Sequence, residues 1–170
     1  MGEREMGGFA IEAWHDFFIA EAGAGAALAG LVFVSISINL QRIMSYPGLP
    51  GRALEALTML LTLLFVGLPG LIPGQSAMAL GIELIGLGIA VWAIVLVICI
   101  QPASRPDRMT RFQVLQRYLL SQAGALPIVI AGASLVAGWG GGLYWLPASA
   151  LFCLLSGIVS AWVLLIEILR

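Results

Sequence analysis

The sequence predicts an all-α integral membrane protein: five transmembrane helices in one bundle, with the N-terminus out and the C-terminus in. Three observations carry that prediction. Five apolar runs, each about long enough at 1.5 Å per residue to cross a ~30 Å hydrocarbon core, fill most of the 170 residues. Hydrophobic residues make up 61% of the chain and charged ones only 10%, against about 25% charged in soluble domains. The arginines are also unevenly placed. Arg42 and Arg52 flank the first connection, Arg105, Arg108, Arg111 and Arg117 cluster at the third, and Arg170 ends the chain. The second and fourth connections carry no charge, so the positive-inside rule puts these arginines on the cytoplasmic side and leaves Arg4 outside.

The first span, about 14–43 (WHDFFIAEAGAGAALAGLVFVSISINLQRI), is the most finely patterned and reads as the central helix. At helical spacing Glu21, Gly25, Leu28, Val32, Ser35, Asn39 and Arg42 share one stripe, while Gly23, Ala26, Ala27, Gly30, Ser37 and Gln41 fall opposite. Lipid rewards only bulky apolar side chains, whereas small residues let backbones approach and polar ones need partners. Two such stripes imply packed neighbours on two sides. Residues 1–12 form a polar arm without the basic start of a secretory signal, resting on the interface through Phe9 and Ile11.

SYPGLPG (45–51) is a turn by its prolines and glycines, after which a second span, about 52–71, carries Glu55, Thr58 and Thr62 and is kinked or ended by Pro69 and Pro73. The third span, about 76–100, contains Glu83 among Gly81, Gly86 and Gly88. QPASRPDRMTR is the strongly charged loop. The fourth span, about 112–138, holds Arg117, Gln122 and Pro127, and GWGGGLYW follows as a flexible turn flanked by aromatics. The fifth, about 143–169, lines up Ser149, Cys153, Ser156, Ser160 and Glu167 on one side. The whole chain is a single transmembrane domain.

Sorting polar residues by depth gives two layers. Glu21 and Glu83 fall roughly 6 to 11 Å below the outer interface, where they would face each other as a cation or proton site or serve as interhelical bonds. Asn39, Arg42, Glu55, Gln113, Arg117 and Glu167 share the inner layer, and Arg117 is expected to pair with Glu55 or Glu167. Around an oligomer axis the first-span stripe would present a Glu21 ring, an apolar Leu28 and Val32 constriction, then Ser35 and Asn39, the plan of a gated cation pathway.

Other chemistry has little to stand on. One histidine, His15, cannot build a two-histidine metal site, and HExxH, Gly-x-Ser-x-Gly and CxxC motifs are missing, so no enzyme, metal or cofactor is expected. All eight basic residues are arginine, with no basic patch for nucleic acid. Cys99 and Cys153 are placed too far apart for a disulfide.

At W14-x-x-F17, A27-L28-x-G30-L31-x-F33-V34, S35-I36-S37-I38-N39-L40 and L49-P50-G51-R52-A53-x-E55-A56-L57, the chain resembles a group of small, uncharacterised bacterial multi-pass membrane proteins, over roughly the first 75 residues. The resemblance implies a bacterial inner membrane and brings no activity with it. Two function classes follow from the whole reading: a homo-oligomeric channel or transport-type protein for cations or protons, or a non-conducting accessory or assembly subunit of a larger membrane complex.

Overall fold

The computed structural model describes the backbone of residues 7–100 and 111–169 and the side chains of 7–100, 115 and 118–166. Among the described residues every regular element is a helix, and five are long and apolar enough to cross a membrane. They are α1 (His15–Ile38), α3 (Leu49–Gly70), α4 (Ala77–Ile100), α5 (Arg111–Ala137) and α6 (Leu146–Leu169), with a short α2 (Leu40–Ser45) between the first two. Their outward faces are apolar: Leu31, Phe33, Ile82, Val97, Leu151 and Ile158 are all exposed.

The first span does not run unbroken to residue 43. Its helix stops at Ile38, and Asn39 turns out of helical geometry before α2 begins. The Asn39 amide Nδ2 donates to Ser35 O at 2.9 Å, and its backbone N–H reaches only to Ile36 O at 3.2 Å. A short polar side chain that bonds its own helix competes with the backbone ladder and bends it. Ser37 adds a second such bond, to Phe33 O.

Nor is the first helix the centre. That place belongs to α3, which packs on α1, α4 and α6, while α5 closes the far side against α4 and α6. More than half of α3's apolar window is buried (56%), against 28% for the first span. The reason is visible in the glycines. A Cβ on Gly25 would lie 2.6 Å from Leu64 N, and one on Gly67 would lie 2.8 Å from both the Ala22 Cβ and Phe18 O, so α1 meets α3 along Gly25 and Ala22 at near backbone contact. Small residues give helices van der Waals contact that lipid cannot match. The opposite stripe is unused within the chain: Gly23 and Gly30 have nothing within 4 Å of such a Cβ, and Ala26 and Ala27 are exposed. One stripe of α1 packs, and one faces out.

Local sequence sets the helix ends. Gly48 takes a left-handed φ of 88° and Pro50 sits in the first turn of α3, so this helix starts three residues earlier than the turn-like SYPGLPG suggests. Proline is tolerated there because the first-turn N–H groups have no intrahelical partner. Pro69 stands in the last turn, and the chain leaves the helix after Gly70, over which the Phe18 ring packs. Ser76 caps α4, its hydroxyl accepting from Ala79 N at 3.2 Å. On the other side of the bundle α4 and α5 approach through Gly81, Gly88 and Gly132.

The GWGGGLYW turn is held by specific bonds. Its glycines 138, 140, 141 and 142 all have positive φ, which frees the chain to fold back on α5. The Ser134 hydroxyl donates to Trp139 O and accepts from Gly142 N, and Trp145 Nε1 donates to Gly140 O at 2.9 Å. The N-terminal arm docks on the same turn: Leu143 N donates to Gly8 O at 2.8 Å, and Trp14 Nε1 donates to Gly7 O at 2.8 Å. Ile11 is buried with Leu143 and Leu146, and Phe9 packs on that cluster, so residues 7–11 close the end of the bundle.

Candidate functional site

The bundle interior is not uniformly apolar. Glu55, on the second turn of α3, is fully buried, and the Ser121 hydroxyl of α5 donates to its Oε1 at 2.6 Å. Ser121 Oγ in turn lies 3.4 Å from Ser156 Oγ of α6, so three helices meet at one hydrogen-bonded cluster. Placing a carboxylate inside an apolar bundle costs several kcal/mol by transfer scales unless hydrogen bonds or charges compensate it, here in part through the Ser121 hydroxyl.

The fifth span continues the polar line in both directions. Ser149, Cys153, Ser156 and Ser160 recur at steps of four, three and four, which sets them on one helical face, and all are buried to 3% exposure or less. Ser149 Oγ donates to Gly124 O at 2.6 Å, three residues before Pro127 of α5, and sits 4.0 Å from Cys153 Sγ. Gly124 lacks the side chain that would collide there, since its Cβ would come within 2.9 Å of that sulfur.

Glu21 faces into this interior from α1. It is 6% exposed, and its Oε2 has no hydrogen-bond partner among the described residues. Gln122, next to Ser121 and 5% exposed, likewise leaves both amide atoms without a described partner. A buried polar atom without a partner costs about 1–3 kcal/mol, which is why such atoms in folded proteins mark places for water, a proton or an ion.

The outer pair of acids is not brought together. Glu83 is exposed on α4 and accepts from Gln75 Nε2 at 2.6 Å, while Glu21 is buried on α1. Glu83 stands two residues from Gly81, about 200° round the helix, and Gly81 is the residue that turns toward α5. Close glycine packing thus points Glu83 outward.

The long first-span stripe is divided as well. Glu21 and Gly25 pack inside the chain, whereas Leu28, Val32 and Ser35 line a groove of about 300 Å³ between α1 and α6, floored by Leu60 and Gly157. Asn39 spends its amide on Ser35, and Arg42 is exposed. These residues therefore do not form one continuous lining with Glu21. The side chains of Arg117 and Glu167 lie outside the described residues, and with them the expected ion pairs to Arg117.

Ser121 was not visible as a site residue from sequence: one serine in an apolar span carries no signal until its partner across the bundle is known. The α6 row was legible, because its spacing is local. Cys99 and Cys153 carry no disulfide. Among the described residues no three His, Cys, Asp or Glu side chains converge as metal ligands. No known protein family, curated protein or solved structure matches the chain.

Proposed function

We propose that the chain is a transport-type protein of a bacterial cytoplasmic membrane, N-terminus out and C-terminus in, that passes protons or another small cation through the interior of one protomer. One observation carries this reading: two acids, Glu21 and Glu55, are buried inside the bundle at different depths, Glu55 bonded into the Ser121–Ser156 cluster and Glu21 with a buried Oε2 that has no partner among the described residues. From the Gly25–Leu64 and Gly67–Ala22 contacts, Glu21 is level with about residue 68 of α3. It is then roughly 20 Å along the axis from Glu55, at about 1.5 Å per residue. The row from Ser149 to Ser160 covers about 16 Å of that depth. Ionisable side chains held inside a membrane bundle are costly and mark relays and ion pathways by default.

This moves the pathway from an oligomer axis to the inside of the bundle. The exposed glycine face of α1 then serves as the contact between copies, since a helix facing only lipid gains nothing from Gly23 and Gly30. The same face favours a second reading, a non-conducting accessory subunit in which it seats a helix of a larger complex. No hydrolytic role is proposed, because the one histidine, His15, is exposed at the start of α1 and makes no hydrogen bond to a serine among the described residues. Uptake of protons by vesicles reconstituted with the purified protein tests the reading: flux that depends on Glu21 supports it. Co-purification with another membrane complex, without flux, supports the accessory role.

A further inference from the structure

We infer that the groove between α1 and α6 binds one anionic phospholipid, its acyl chain in the slot and its headgroup at Arg42. The slot exists because α1 and α6 both pack on α3 and touch each other little, leaving part of its surface bare between them. Leu60 forms the floor. Gly157 brings α6 so close to that floor that a Cβ would stand 2.8 Å from Leu60 Cδ2, and Trp162 and Leu165 form the wall facing Val32 and Ser35.

Size decides the occupant. The groove holds about 300 Å³ and is lined almost entirely by apolar surface. A helix is about 10–12 Å across with its side chains, too wide for a slot of that volume, whereas a single hydrocarbon chain fits. Seven residues from Leu28 to Ser35 and eight from Gly157 to Leu165 give it a length of about 10–12 Å. That is most of the depth of one leaflet, about half of a ~30 Å hydrocarbon core.

Charge decides the headgroup. The slot runs toward the same end of the bundle as α2, which carries Arg42 past the Asn39 break; Ile43 beside it packs in one cluster with Ile36 of α1 and Leu164 of α6 at that end. Arg42 is exposed, with exposed Gln41 and Ser45 beside it, and the hydroxyl of Ser35 stands at the mouth of the groove. A guanidinium among hydrogen-bonding side chains at headgroup depth selects a phosphate with net negative charge. The inference needs the bundle to sit in a bilayer and is independent of whether it conducts.

The test is native mass spectrometry of the detergent-purified full-length protein, incubated with equal amounts of phosphatidylglycerol and phosphatidylethanolamine. The wild-type protein retains one lipid, with about a five-fold preference for phosphatidylglycerol, the fold-change expected from one basic residue near a charged headgroup. Arg42→Gln abolishes the preference while a lipid stays bound. Ala161→Phe fills the slot and reduces retention of both lipids several-fold. Where Ala161→Phe does not fold, Ser35→Trp at the exposed mouth reads the same occupancy. Absence of any adduct on the wild-type protein overturns the inference, as does equal retention after the slot is filled or an unchanged preference in Arg42→Gln.

Discussion

The Ser121 hydroxyl donates to Glu55 Oε1 across 2.6 Å between residues 66 positions apart, tying α5 to α3 inside the bundle. Hydrogen bonds between helices in apolar surroundings are worth about 0.6–2 kcal/mol, and weakening the bonding of a buried acid adds to the loss. Ser121→Ala should therefore lower stability by about 1–2 kcal/mol in detergent unfolding followed by circular dichroism. Ser37→Ala, which removes an exposed bond within one helix, should change it by less than about 0.5 kcal/mol.

Gly67→Val should loosen α1 from α3. Even its first carbon would sit 2.8 Å from the Ala22 Cβ, so the helices must separate, at a cost of about 1–3 kcal/mol. Gly30→Val meets open space and should leave protomer stability within about 0.5 kcal/mol. If α1 forms the contact between copies, Gly30→Val should instead shift the size of the detergent-solubilised particle on a calibrated column. Equal destabilisation by both variants would contradict the two-sided account of α1.

Orientation is open to labelling. In a background lacking Cys99 and Cys153, a cysteine in place of Trp139, which is 75% exposed in the fourth connection, should react with an impermeant maleimide from outside intact cells. Ala103→Cys, in the arginine-rich third connection, should react only after the membrane is permeabilised. The reverse pattern would invert the topology.

What could be read from sequence follows from which signals are local. Five apolar runs are local, and five helices of nearly those bounds form. The α6 row is also local, since spacing alone puts Ser149, Cys153, Ser156 and Ser160 on one face. Which helix takes the centre is not local. The first span had two small-residue stripes and only one found a neighbour, while α3, with the plainer pattern, became the hub because helices pack on it from three sides. Glu21 and Glu83 have the same depth by residue count, yet a glycine two positions away turns Glu83 to the outside. The Asn39 break was missed for a related reason: an asparagine bonds its own backbone only when its rotamer allows, and composition does not say so.

The most direct measurement is proton flux into dye-loaded proteoliposomes under an imposed potential of either polarity, compared across three conservative variants. The account predicts flux for the wild-type protein and at least a tenfold fall for both Glu21→Gln and Glu55→Gln, because the amide keeps the shape of each carboxylate and cannot relay a proton. It predicts no change for Glu83→Gln, whose parent side chain is exposed and bonded to Gln75. A folded wild-type protein that carries no flux, or Glu21→Gln and Glu55→Gln variants that carry as much as wild type, would contradict it.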